Sequence, residues 1–239
     1  MLIMPLAAAW AAAQAAPASP QTATSSSDTS YVTCSDKPPG PRTIRSDVMV
    51  SPDGKRKAYA EVEAKNFRGQ GAPGAPSCVN NSRLLVSSDA GEYKIVFLQE
   101  ATDAESGNSL RLVDWSADGR RLLVELAQWA YEGVGVARSP LVYDANYGLF
   151  RQPELLHVFN KQFGTECSLE VHVAGFSADG KVVIETQPLT PEEEEVLGLQ
   201  TCSKKKAAWA LNITNETLTP VADAAKLPHN AKNESQPAR

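Results

Sequence analysis

Beyond its first 16 residues, the 239-residue chain lacks any apolar run of the roughly 20 residues that a membrane-crossing helix requires. No integral membrane segment is therefore expected in the mature protein. Basic residues are not in excess either: 23 Lys and Arg stand against 28 Asp and Glu, for a net charge of -5, and they are scattered along the chain. That pattern cannot neutralise a run of phosphates, which argues against nucleic acid as a partner. Histidine is scarce, with His157, His172 and His229 far apart, and the four cysteines show no Cys-x-x-Cys spacing. So sparse a supply of ligands leads us to expect no metal and no other cofactor. A nucleophile elbow is missing too, because Gly175-Phe-Ser177-Ala-Asp-Gly180 has no glycine two residues after its serine. What is present is ordinary globular composition, 42% hydrophobic and 21% charged, enough for one domain with a sizeable core.

The two ends differ from the middle. The first 16 residues are uncharged and close on a small-x-small site, Ala13, Gln14 and Ala15, which reads as a secretory signal over 1–15. Residues 16–33 are rich in Ser, Thr, Ala and Pro with almost no large apolar side chain, so a flexible linker is expected there. Residues 222–239 are equally poor in apolar groups and are expected to form a disordered tail. Four cysteines, an even number in an exported chain, imply disulfides and an oxidising compartment, periplasmic or secreted.

Between the ends lies an internal repeat. VMVSPDGK at 48–55, VDWSADGR at 113–120 and AGFSADGK at 174–181 each run from alternating apolar residues into Ser-x-Asp-Gly and a basic residue. Alternation places one face of a strand inward. Ser51 and Asp53, Ser116 and Asp118, and Ser177 and Asp179 can bond nearby backbone amides, and Gly54, Gly119 and Gly180 supply the positive φ of a tight turn. Three recurrences of one serine favour turn chemistry over catalysis at Ser177, so no catalytic residue is assigned. Second strands are expected at 57–62, 121–127 and 182–186. Third and fourth strands follow at 83–87 and 93–98, at 140–144 and 149–152, and at 208–213 and 217–221. The fold class is all-β, with three antiparallel four-stranded units within 34–221, at about 34–100, 101–160 and 161–221.

The repeat also orders the cysteines. Cys34 and Cys167 precede the first strand of a unit, while Cys78 and Cys202 follow the turn aspartate of that unit by 25 and 23 residues. Equivalence by repeat pairs Cys34 with Cys78 and Cys167 with Cys202, each closure contributing about 4 kcal/mol in the chain-entropy model.

These octets and their following strands, together with Trp209-Ala-Leu-Asn-Ile-Thr-Asn-Glu-Thr-Leu, resemble the blades of TolB-like, WD-repeat-related β-propellers over roughly residues 44–221. The resemblance implies three blades of an incomplete, open β-propeller, fewer than the four to eight of a closed ring. Open arcs leave strand edges that favour pairing, so a protein partner or a homodimer is expected. The function it implies is a non-catalytic exported binding or scaffold protein that presents loops to a protein or small ligand, the ligand-binding residues staying unassigned. The alternative is a relative or remnant of the propeller that gates a prolyl-oligopeptidase-like peptidase.

A few further residues need placing. Thr190-Pro191 with Glu193 has the pattern of a capped helix start. Glu61, Glu125 and Glu185 end the second strands at offsets of changing parity, so they need not share a face. Trp129, Tyr131, Tyr143 and Tyr147 crowd around Gly133 and Gly135, either as inter-unit packing or as a ligand platform. Asn80, Asn212, Asn215 and Asn233 head Asn-x-Ser/Thr triplets.

Overall fold

The computed structural model describes residues 35–36, 39–40, 42–67, 77–87, 91–101, 106–130, 135–222 and 232–234. Among them the chain runs β1 (Ser35–Asp36), β2 (Pro39–Gly40), β3 (Arg42–Arg45), β4 (Val48–Val50), β5 (Lys57–Phe67), β6 (Ser77–Ser87), β7 (Tyr93–Gln99), β8 (Ser106–Trp115), β9 (Arg121–Ala130), β10 (Ala137–Asp144) and β11 (Leu149–Arg151). It continues through helix α1 (Leu155–Phe163), β12 (Cys167–Ser168), β13 (Glu170–Phe176), β14 (Val182–Gln187), helix α2 (Pro191–Leu197), β15 (Gln200–Thr201), β16 (Ala207–Asn212), β17 (Thr217–Val221) and β18 (Lys232–Glu234). The all-β class holds.

Hydrogen bonding groups the longer strands into three antiparallel meanders. The first, unit 1, is β3 and β4 on β5, then β6 and β7; unit 2 is β8, β9, β10 and β11; unit 3 is β13, β14, β16 and β17. Each first strand breaks step at the same place. The register slips by one residue between Leu112 and Asp114 in β8, and between Val173 and Gly175 in β13. In unit 1 the break separates β3 from β4, with Arg45 opposite Glu61 but Met49 opposite Ala58. One extra residue at a fixed point bends and twists a strand.

Units 1 and 2 are not wholly separate sheets. A single parallel pairing, Asn80 with Gly107, joins β6 to β8 and makes one ten-stranded sheet of them together with β18. The seam is polar: Asn80, Asn81, Ser82, Asn108 and Ser109 are buried there, and among the described residues neither side-chain amide atom of Asn80 has a hydrogen-bond partner. β18, within the tail expected to fray, pairs antiparallel with β4.

Apolar faces hold the three units side by side. Met49, Ala58, Ala60, Leu84 and Val86 of unit 1 pack on Leu110, Leu112, Trp115, Leu122, Val124, Leu126, Leu141 and Tyr143 of unit 2. Unit 2 turns Leu123 and Val142 the other way, into a second core with Val171, Val173, Phe176, Val182, Ile184, Leu211 and Leu218 of unit 3. Alternation of side chains along a strand lets the middle unit serve both cores. Val158 and Phe159 of α1 complete the second core, and each such buried side chain contributes about 1.5–3 kcal/mol. This helix was not expected from the sequence.

Candidate functional site: the repeated turns and the inter-unit cleft

The three Ser-x-Asp-Gly turns share a serine-centred wiring, the third closing one residue sooner than the first two. Ser51 donates its hydroxyl proton to Asp53 Oδ1 at 2.6 Å, Ser116 donates to Asp118 at 2.6 Å, and Ser177 donates to Asp179 at 2.5 Å. The same serine oxygens accept from the backbone N–H of Arg56, Arg121 and Lys181 at 2.9–3.0 Å. Gly54, Gly119 and Gly180 stand at φ of 73°, 66° and 77°, where a side chain would be strained. Ser177 is thus committed on both sides to its turn, as the repeat led us to expect.

These bonds act on the carboxylates. The serine bond holds Asp53 and Asp118 below the usual carboxylate range. At Asp179 the Lys181 ammonium, 2.7 Å away, is the larger cause and the serine bond the next, and together they bring it to about 2.

Adjacent turns also grip one another. Arg56 Nη1 donates to Gly119 O at 3.1 Å and Nη2 to Asn146 Oδ1 at 3.0 Å, so the first turn holds the second. Arg121 lies over the Phe176 ring at 5.2 Å and so close to Gly180 that a Cβ there would sit 2.6 Å from its Nη2. The second turn therefore abuts the third, and all three lie at one end of the sheets.

At the opposite end, units 2 and 3 part to form a cleft of about 590 Å³. One wall comes from Trp129 at the end of β9 and Ala137–Ser139 of β10; the others come from Leu155, Leu156 and Phe159 of α1, from Leu169 and Val171, and from Val196 and Leu197 of α2. The sequence builds these walls locally. Thr190 accepts from Glu193 N, and the Glu193 side chain accepts from Thr190 N, a capping box that starts α2 with Pro191 in its first turn. Gly164 ends α1 in the left-handed conformation, its N–H donating to Asn160 O. Trp129 can lie flat at the cleft only because residue 107 is glycine; a Cβ there would sit 2.7 Å from the indole.

The disulfide braces the floor. Cys167 and Cys202 are bonded, as the repeat predicted, and they tie the parallel pair β12 and β15 together beside Ser168, which lines the cleft. The partner pairing involves Cys34, which lies outside the described residues, as does the side chain of Cys78.

The cleft rim is ionic. Buried Glu125 accepts from Arg111 at 3.0 Å and from Val173 N at 2.7 Å, with Arg138 Nε 3.9 Å away. Arg138 also reaches Glu170 at 3.4 Å, and Glu170 accepts from Gln187 and contacts His172 at 3.2 Å. Arg138, Glu170 and Glu193 are the charged groups that line the cleft, and the arginine already has carboxylate partners.

The remaining candidates do not converge. Glu61 is buried between Arg45 and Arg83 in unit 1, Glu125 lies in the second core region, and Glu185 is exposed on unit 3. Tyr143 is buried against Phe150, Tyr147 is 77% exposed in the turn between β10 and β11, and Tyr131 lies outside the described residues. Among the described members of that aromatic group, only Trp129 is at the cleft. His157 is on α1 near Glu216, and His229 is outside the described residues. Asn80 is buried and Asn215 exposed, while the side chain of Asn233 falls outside the description. Among the described residues no group of three metal-ligating side chains comes together.

No protein-family model and no curated protein matches the chain.

Proposed function

We propose that this is a non-catalytic exported binding protein, an open arc of three propeller-type blades whose cleft between the second and third blades holds an apolar group of a protein or small ligand. The blade reading is supported by three four-stranded meanders in chain order, by the common slip in each first strand, and by face-to-face packing with all three turns at one end. A disulfide is compatible with export, and none of the described helices is long and apolar enough to cross a membrane.

The cleft is the observation that carries the binding role. Its volume lies in the range of small-ligand sites, and its walls are predominantly aliphatic and aromatic with a few placed polar groups. Val196 and Leu197 leave more than half of their surface exposed on α2, where solvated polar residues would cost nothing to the fold. The charge balance at the rim selects further. Arg138 is matched by Glu125 and Glu170, and Glu193 adds another carboxylate, so neutral or cationic groups fit better than anionic ones.

The test uses the neutral fluorescent amphiphile N-phenyl-1-naphthylamine on the purified oxidised chain. Saturable binding at one site is expected, with roughly tenfold loss of affinity in the double substitution Val196→Asp, Leu197→Asp, and weaker binding of an anionic anilinonaphthalene sulfonate. Binding that never saturates, or that the double variant leaves unchanged, would remove the cleft from the account.

A further inference from the structure

The cleft lies where the fourth strand of unit 2 stops short. We infer that its occupant is an extended peptide segment of a partner protein, which adds to the open edge of β10 as a further strand and lays an apolar side chain in the cleft. The inference rests on the cleft reading above and names what the cleft takes.

Strand lengths supply the first observation. In unit 3, β17 covers β16 from Ala208 to Asn212, all but its first residue. In unit 1, β7 covers β6 from Ser82 to Ser87, and beyond it the pairing of Asn80 with Gly107 of β8 takes up the same edge. In unit 2, β11 covers β10 only from Val142 to Asp144, although β10 begins at Ala137. Residues 137–141 thus have β9 on one side and, among the described residues, no strand on the other. Ala137, Arg138 and Ser139 of this stretch line the cleft, together with Gln152 and Pro153, where the chain has left β11 and turns into α1.

Hydrogen-bond direction supplies the second. Ala145 N–H donates to Arg120 O at 2.8 Å, one step beyond the pair Asp144 and Arg121. Antiparallel ladders alternate, so the odd residues of β10 direct their backbone groups at β9 and the even ones direct theirs the other way. Arg138 therefore turns both its N–H and its C=O to the open edge at the cleft. Pro140, the next residue to point this way, has no N–H to leave unpaired and is buried, which closes the far end of the edge. Gln152 reaches the edge through its side chain, Nε2 donating to Ser139 Oγ at 2.9 Å.

Open edges take strands from other chains, with backbone bonds giving affinity and alternate side chains giving specificity. A peptide residue opposite Arg138 can exchange two hydrogen bonds with it. Its side chain then falls on the face that Val142 turns to unit 3, where Leu169, Val171, Val196 and Leu197 line the cleft. Charge selects the flanks. Arg138 lies between Glu125 and Glu170, and Glu193 adds another carboxylate, so basic flanking residues are complementary to the rim.

The probe is an acetylated and amidated pentapeptide of lysine, leucine, valine, leucine and lysine, titrated into the purified oxidised chain and followed by amide resonances. Saturable shifts are expected at Ala137, Arg138 and Ser139, and the Arg138 N–H should exchange more slowly because it gains an acceptor. Methylating the peptide nitrogens one at a time should weaken binding about tenfold at the residue opposite Arg138 and little at the two beside it. Arg138→Ala keeps the edge N–H and Arg138→Pro removes it, while both lose the same guanidinium. The proline variant should bind the peptide about tenfold more weakly than the alanine variant, and both should bind N-phenyl-1-naphthylamine alike. Equal peptide affinity in the two variants, or methylation tolerated at every position, would overturn the inference. Saturable naphthylamine binding without peptide binding would also overturn it and leave the cleft a small-molecule site, whereas naphthylamine binding that never saturates removes the cleft reading itself. Should Arg138→Pro lose its far-ultraviolet spectrum, the methylated peptides on the native chain decide.

Discussion

A serine hydroxyl that donates to an aspartate and accepts from a backbone amide is a two-bond device, and Ser116 performs it while almost fully buried. Ser116→Ala removes both bonds and leaves the Arg121 N–H without its acceptor. Urea denaturation should show a loss of about 1–3 kcal/mol. The aspartates add a pH dependence. Asp53, Asp118 and Asp179 have folded-state values below the usual 3.8, with Asp179 near 2, so their contribution is complete above about pH 4 and is lost as pH falls toward 2. Urea midpoints should fall over that window, and Asp179→Asn should flatten part of the fall. Glu125 is buried, with an oxygen facing Arg111 and Val173 N. Glu125→Ala should cost about 2–4 kcal/mol, toward the low side of the range for a broken buried pair because both arginines keep some solvent.

At the scale of the element, the hairpins were readable because their chemistry is local. Alternation, Ser-x-Asp-Gly and a basic residue lie within eight positions, and the strands flanking each turn fall close to their expected places. Helix α2 was readable for the same reason, since Thr190, Pro191 and Glu193 are nearly adjacent. Thr190→Ala should weaken the start of α2 by about 1 kcal/mol, visible as faster amide hydrogen exchange at Glu193 and Glu194 with the sheets unaffected. Helix α1 was missed although Leu155, Leu156, Val158, Phe159 and Phe163 recur at helical spacing and Gly164 closes them. A reading organised around four strands per unit left no place for it. Phe159 is buried at the second core, and Phe159→Ala should cost about 3–5 kcal/mol in urea denaturation.

At the scale of the whole molecule, repeat equivalence carried further than any single motif. It paired Cys167 with Cys202 across 35 positions, because each cysteine has a fixed place relative to its unit. The cleft was not legible, for its walls come from segments as far apart as Trp129 and Leu199 that share no pattern. The aromatic group divides: Tyr143 packs in the core between units 1 and 2, as the inter-unit reading had it, Trp129 ends β9 at the cleft, and Tyr147 is exposed in the turn between β10 and β11. The gripping role of Arg56 and Arg121 was hidden as well, since each lies one residue beyond the repeated octet and its reach to the next turn depends on contacts that no local pattern shows. Selective reduction of Cys167–Cys202 should lower stability by about 4 kcal/mol and loosen the cleft floor at β12 and β15, measurable as a lower melting temperature.

The account stands on the juxtaposition of three turns that are more than 60 residues apart in sequence. A nitroxide on Arg120→Cys, an exposed site in the middle turn, measures it directly. The amide resonances of Asp53 and Gly54 in the first turn and of Asp179 and Gly180 in the third should both broaden, while those of Leu189 and Gly198 at the cleft end keep their intensity. Broadening confined to residues next to Arg120 would contradict it.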